Sequence, residues 1–187
     1  MTTVTLLRRF AVTSAAVAVA AAGVAAPASA APARLSAASL SFPTSALPGW
    51  TISPADAGGV GLARAPFGPS GTTWASQVSI GDFGRSGLDV KALAKAFAAE
   101  IAKDGGYNGH NPRLEGLQVT DARVSGIPAA RATANIVLQN APTRGERLRI
   151  TVVDTNPETY FVSQVPFEAP DRQAQAAAAE SGLVATR

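Results

Sequence analysis

A single histidine limits the chemistry open to this chain. His110 is the only one in 187 residues, and there is no cysteine. A site with two imidazole ligands is therefore excluded, as is any thiolate site. A mixed site would need several acids to converge on His110, and Asp104 and Glu115 are the nearest in sequence. In a stretch rich in Gly and Asn, His110 reads as a solvated loop side chain. A Ser-His-acid triad would have to use the same residue. The nearest nucleophile-like string, Gly68-Pro69-Ser70-Gly71, lacks the Gly-x-Ser-x-Gly spacing of a strained elbow. Two carboxylates distant in sequence can meet to cleave a glycoside, but a chain of this size with two Trp is small for a sugar cleft. No residue set calls for a catalytic role, a metal or a cofactor.

Two groups suit recognition better. Tyr107, His110 and Arg113 share the polar segment from Asp104 to Gly116, which is long for a plain connection. Aromatic and Arg side chains are the usual anchors of an interface. Arg131, Arg147 and Arg149 alternate with apolar residues and fall on the outward face of adjacent predicted strands. They form either an anion-binding patch or a solvated strand face whose charges discourage aggregation. These six residues are the candidate partner-binding set.

The elements that must position them follow from periodicity. Leu40-Ser41-Phe42-Pro43 and Trp50-Thr51-Ile52 read as short strands separated by a Pro48-Gly49 turn. Val60 and Leu62 share a face. Trp74, Ser76, Val78 and Ile80 alternate with Ala75, Gln77 and Ser79, as a half-buried strand requires. The period then changes. Val90, Leu93, Phe97 and Ile101 make one apolar stripe on a helix over 89–103, with Asp89 placed to cap its start and Gly105-Gly106 to stop it. Three strands follow. Residues 117–125 alternate with a change of face, since Leu117 and Val119 share a side that Val124 does not. Residues 129–139 turn Ala130, Ala132, Ala134, Ile136 and Leu138 inward. After a turn at Asn140–Gly145, residues 146–153 turn Leu148, Ile150 and Val152 inward. This hairpin predicts an antiparallel sheet with one wet face. Tyr160 to Val165 adds a strand. Pro170 opens a final helix whose inward face is mostly Ala and should pack closely on the sheet. Trp50, Trp74, Phe97 and Phe161 read as core residues.

The first 30 residues carry a different signal. Arg8 and Arg9 precede an Ala- and Val-rich run from Phe10 to Ala26, closed by Pro27 and the small-residue string Ala28-Ser29-Ala30. That pattern predicts a signal peptide at 1–30 cut near Ala30, a flexible leader at 31–39, and a single domain at 40–187. The apolar run is too short and too weakly hydrophobic for a retained span. Of the 16 Lys and Arg, two leave with Arg8 and Arg9. The remaining 14 stand against 13 acids, about +1. A nearly neutral chain is a poor partner for nucleic acid. The expected location is secreted or at the cell envelope, with no transmembrane segment in the mature chain. Ala- and Gly-rich usage with few Lys points to an actinobacterial source.

Helices set apart from an antiparallel sheet make an α+β sandwich. Within that pattern the turn Gly126-Ile127-Pro128-Ala129-Ala130-Arg131 leads into a long strand. A basic strand from Arg147 to Val153 follows, then the aromatic strand Tyr160-Phe161-Val162 and an Ala-rich helix, with Phe42-Pro43 and Pro48-Gly49-Trp50 early on. Over residues 40–185 the chain resembles the PsbP-like and Mog-like α/β/α sandwich superfamily, including actinobacterial exported proteins of the LpqN type. It lacks the lipid-modified Cys of the latter. The resemblance implies an antiparallel sheet flanked by an amphipathic helix and a C-terminal helix, and a role in binding or assembly rather than catalysis. The expectation is thus a secreted, non-enzymatic binding or accessory protein with a protein or envelope component as partner. A small secreted hydrolase around His110 is the first alternative. The second is an apolar ligand carrier with a pocket between the helix at 89–103 and the sheet.

Overall fold

In a computed structural model of the chain, the described residues are 33–55, 59–68 and 74–186. The expected signal peptide and Ser70 lie outside them. Residues Pro32–Arg187 form one compact unit. Its strands are β1 (Arg34–Ala37), β2 (Leu40–Pro43), β3 (Thr51–Ser53), β4 (Gly61–Pro66), β5 (Ala75–Asp82), β6 (Arg113–Val124), β7 (Ile127–Val137), β8 (Gly145–Val153), β9 (Thr159–Pro166) and β10 (Val184–Ala185). The helices are α1 (Val90–Ile101) and α2 (Pro170–Ser181). Seven strands make one sheet in the order β3-β4-β5-β9-β8-β7-β6, and β1-β2-β10 make a second, smaller one. Every pairing is antiparallel.

The alternation of β7 and β8 sorts the large sheet into two faces. Ala130, Ala132, Ala134 and Ile136 pair across to Val152, Ile150, Leu148 and Glu146. This face takes α1, which packs over β6, β7 and β8. Leu93, Ala94, Phe97 and Ala98 are its buried residues, and the small side chains on both surfaces let helix and sheet approach closely. Asp89 caps α1 by accepting from the backbone N–H of Lys91 and Ala92, each at 2.9 Å, so the free donors of the first turn are satisfied as expected. The Phe83, Phe97 and Tyr160 rings meet with centroids 4.9 Å apart.

The opposite face carries the larger apolar cluster. Phe42 of the small sheet meets Phe161 edge to face at 5.6 Å, joined by Leu35, Leu40, Trp50, Val78, Ile80, Ala176 and Ala179. The sequence pattern left this face wet. It is instead covered along β9 by α2 and by the small sheet, because Phe161, Val165, Val78 and Ile80 all project there. A second departure lies at 34–37. These residues, assigned to a flexible leader, pair with β2 and bury Leu35 and Ala37. Four residues bounded by Pro and Ala carry too little pattern to be read as a strand without their partner. In β4, Gly61, Ala63 and Ala65 turn inward. Val60 is exposed, and Leu62 points to the other face.

Val119 and Val124 face opposite sides as expected, by plain alternation in an unbroken register from Gln118 to Val124, and the irregularity in β6 lies earlier. The register with β7 slips between Glu115 and Gln118, so Leu114 and Val119 both project to the α1 side although their spacing is odd. At the β6–β7 turn, Ser125 and Gly126 have φ of 51° and 79°, the two left-handed positions that a tight hairpin needs.

Candidate functional site

Two buried carboxylates on opposite faces of the large sheet gather most of the candidate residues. On the α2 side the organiser is Glu180, which follows Ala176 by one helical turn and so shares its inward face. Its side chain is 1% exposed. Arg131 Nε donates to Oε1 at 2.6 Å, Arg149 Nε to Oε2 at 2.7 Å, and the Thr151 hydroxyl to Oε1 at 2.7 Å. Arg131 and Arg149 are therefore committed to an ion pair with α2 and do not form a solvated strand face. Arg147 differs. It pairs with Val165 in the ladder, one row from the Arg149–Ser163 pair. It is exposed and has no carboxylate partner among the described residues.

Arg147 and Arg149 line a cleft of about 290 Å³ between β8, β9 and α2. Ser163 and Val165 complete the strand side, and Pro170, Gln173, Ala174 and Ala176 form the helix wall. The Ala-rich helix explains the opening: where α2 presents Ala174, a longer side chain would fill the space. Gln173 is held in place by donating to the carbonyls of Pro166 and Phe167 at 3.0 and 3.3 Å.

On the α1 side the organiser is Glu146, in phase with Leu148, Ile150 and Val152 and 3% exposed. The Tyr107 hydroxyl donates to Oε2 at 2.6 Å and Trp74 Nε1 donates to Oε1 at 2.9 Å. Gln164 in turn donates to the Tyr107 oxygen at 2.7 Å. Burial raises the Glu146 pKa, and the hydrogen bonds from Tyr107 and Trp74 offset only part of that rise. Burial likewise pushes the Tyr107 hydroxyl well above its ordinary value, with the nearby Glu146 charge adding to the effect.

The polar segment expected to be a contact loop is thus partly structural. Its start is a short 3-10 turn, Gly105–Tyr107, that sends Tyr107 inward to 5% exposure. His110 does not sit as a freely solvated loop side chain. It is half-buried with its ring edge to face on Trp74, 5.4 Å between centroids, and its Nδ1 is buried with no partner among the described residues. Arg113 is exposed and paired with Glu115 at 3.3 Å. Tyr107, His110 and Arg113 therefore do not present one surface. No group of three His, Asp or Glu among the described residues stands close enough to hold a metal.

Sequence reasoning missed Glu146, Glu180, Gln164 and Gln173. A signal was present for three of them. Glu146 and Gln164 continue the inward phase of their strands, and Glu180 continues the Ala176 face of α2. Three Arg on one strand face with no acid opposite also called for a buried carboxylate from elsewhere.

These elements define an α+β protein whose sheet is covered on both faces, with a PsbP-like fold. The chain is similar to cyanobacterial PsbP (CyanoP) from Synechocystis sp. PCC 6803, known from its solution structure. The TM-score is 0.51 at 13% identity over 79% of this chain and 87% of that one. No protein-family model and no curated protein matches the chain. No helix among the described residues is long and apolar enough to cross a membrane.

Proposed function

We propose that this is an exported accessory protein of the bacterial cell envelope that works by binding, with the cleft beside α2 as its contact site. The observation that carries the reading is the position of Arg147, which lines that cleft beside Arg149. Arg147 is exposed, lacks an internal counter-ion among the described residues, and sits where a partner can reach it. An unpaired guanidinium beside a concave surface is the usual anchor of a specific contact. The resemblance to the PsbP-like superfamily implies the same kind of role, and the first 30 residues support export.

The test is capture from native envelope and culture fluid, with the purified protein as bait and Arg147→Ala as its control. A specific component held by the wild type and lost with the variant supports the reading. Equal capture by both baits removes the cleft from it, and no capture by either overturns it. His110→Ala serves as the check on catalysis: a measured activity abolished by that variant would replace a binding role with a histidine-dependent one.

A further inference from the structure

The charges around the cleft do not balance. Three arginines, Arg131, Arg147 and Arg149, stand on one sheet face against a single carboxylate, Glu180. The neighbouring acids are engaged elsewhere: Glu168 pairs with Arg144 at 2.9 Å and Glu115 with Arg113 at 3.3 Å. Asp171 is exposed on α2 and is not among the lining residues. Of the three arginines, Arg147 and Arg149 line the cleft, with no carboxylate among the lining residues, and Arg149 shares Glu180 with Arg131, so the cleft keeps an excess of more than one positive charge.

Its size narrows the occupant. A volume of about 290 Å³ lies at the lower end of the range for small-molecule sites. It suits a compact group and not an extended chain. Ser163, itself 1% exposed, adds a hydroxyl, and Gln173, whose amide N–H groups are held by the Pro166 and Phe167 carbonyls, shapes the opposite wall. A guanidinium fork matches the oxygens of carboxylates and phosphates alike. That excess decides between them. A phosphate monoester carries about −1.5 to −2 at neutral pH, whereas a carboxylate carries one charge and leaves part of the excess unmatched.

We propose that the cleft formed by Arg147, Arg149, Ser163 and Gln173 binds a phosphate monoester, as a free small molecule or as a lipid headgroup. This rests on the reading of the cleft as the contact site. Arg147 is the anchor, because it is not engaged by Glu180, and Arg149 supports it while holding α2.

The experiment is an amide-resolved NMR titration of the purified protein with glycerol phosphate, with acetate as the monoanion control. A parallel flotation assay uses neutral vesicles with and without phosphatidic acid. Saturable shifts at Arg147, Arg149, Ser163 and Gln173 with the phosphate ester, and none with acetate, are the expected result. Arg147→Ala should weaken binding roughly tenfold to a hundredfold while leaving the thermal midpoint unchanged. Arg147→Lys, which keeps the charge and loses the fork, should fall between. Binding should also weaken below about pH 6, as the ester loses its second charge. Flotation with phosphatidic acid vesicles assigns the source to a lipid, and binding of glycerol phosphate without flotation assigns it to a free ester. Acetate binding as tightly as the ester, wild-type affinity in Arg147→Ala, or no saturable shift each overturns the proposal. If Arg147→Ala loses its envelope partner but no phosphate ester binds, the ligand class fails and the accessory role stands. If the ester binds and no partner is captured, the ligand class stands and the accessory role fails.

Discussion

Glu146 of β8 and Glu180 of α2 are buried on opposite faces of the same sheet, yet they are held in opposite ways. Glu180 meets two guanidinium groups and a hydroxyl, all within 2.7 Å, at the seam between sheet and α2. Glu146 meets only neutral donors, Tyr107 and Trp74, and burial raises its pKa. Both arrangements satisfy a buried acid, but with different consequences. A counter-charge ties a helix to a sheet and leaves surplus positive charge at the rim. Neutral donors tie a loop to the sheet and make stability depend on pH.

The largest effect should come from breaking the charged seam. Glu180→Ala would leave Arg131 and Arg149 without their shared counter-ion. A loss of about 3 kcal/mol in urea unfolding is expected, at the low end for a buried pair because both arginines keep some contact with water. A loss below about 1 kcal/mol would mean that the seam does not hold α2. Next is Tyr107→Phe, which removes a donor to Glu146 and an acceptor for Gln164. It should cost about 1–3 kcal/mol and push the Glu146 pKa higher still, readable by NMR titration of the carboxyl.

The pH dependence of Glu146 comes third. Its folded pKa is raised, so its contribution is fully present below the ordinary value of 4.5 and is lost as pH rises through the folded value. Glu146→Gln removes that titration. Unfolding measured at pH 4 and pH 8 should show a smaller difference in the variant; an equal difference would refute the assignment. The smallest effect belongs to Glu168, outside both sites. Burial acts to raise its pKa, but hydrogen bonds from Thr143 and Arg144 outweigh it and hold the carboxyl at about 2. Its contribution is present above 4.5 and lost as pH falls toward 2. Its side chain is 32% exposed, so solvent weakens the effect, and Glu168→Gln should shift only the acid limb of the stability curve.

Local pattern carried much of the architecture. The stripe of Leu93 and Phe97 with the Asp89 cap, the alternation of Ala130 to Ile136, and the return through Leu148 to Val152 all stand as expected, because each is decided within a dozen residues. β1 was missed because four residues have no period of their own, and it exists only by pairing with β2. The arginines were seen and their surroundings were not. Whether Arg149 meets water or a carboxylate depends on where α2 lies, and α2 follows it by more than 20 residues.

The contrast between the two recognition groups follows the same logic. By itself the sequence determined that catalysis through paired histidines or thiols was impossible, that the sheet was antiparallel, and that three arginines shared one face. Those are matters of composition and of the two-residue period. Only the tertiary structure decided that Tyr107 turns inward to Glu146, that Arg131 and Arg149 are claimed by Glu180, and that Arg147 is left beside a cleft. Ion pairs and cavities form between elements distant in the chain, and their geometry is set by packing, which no local period records.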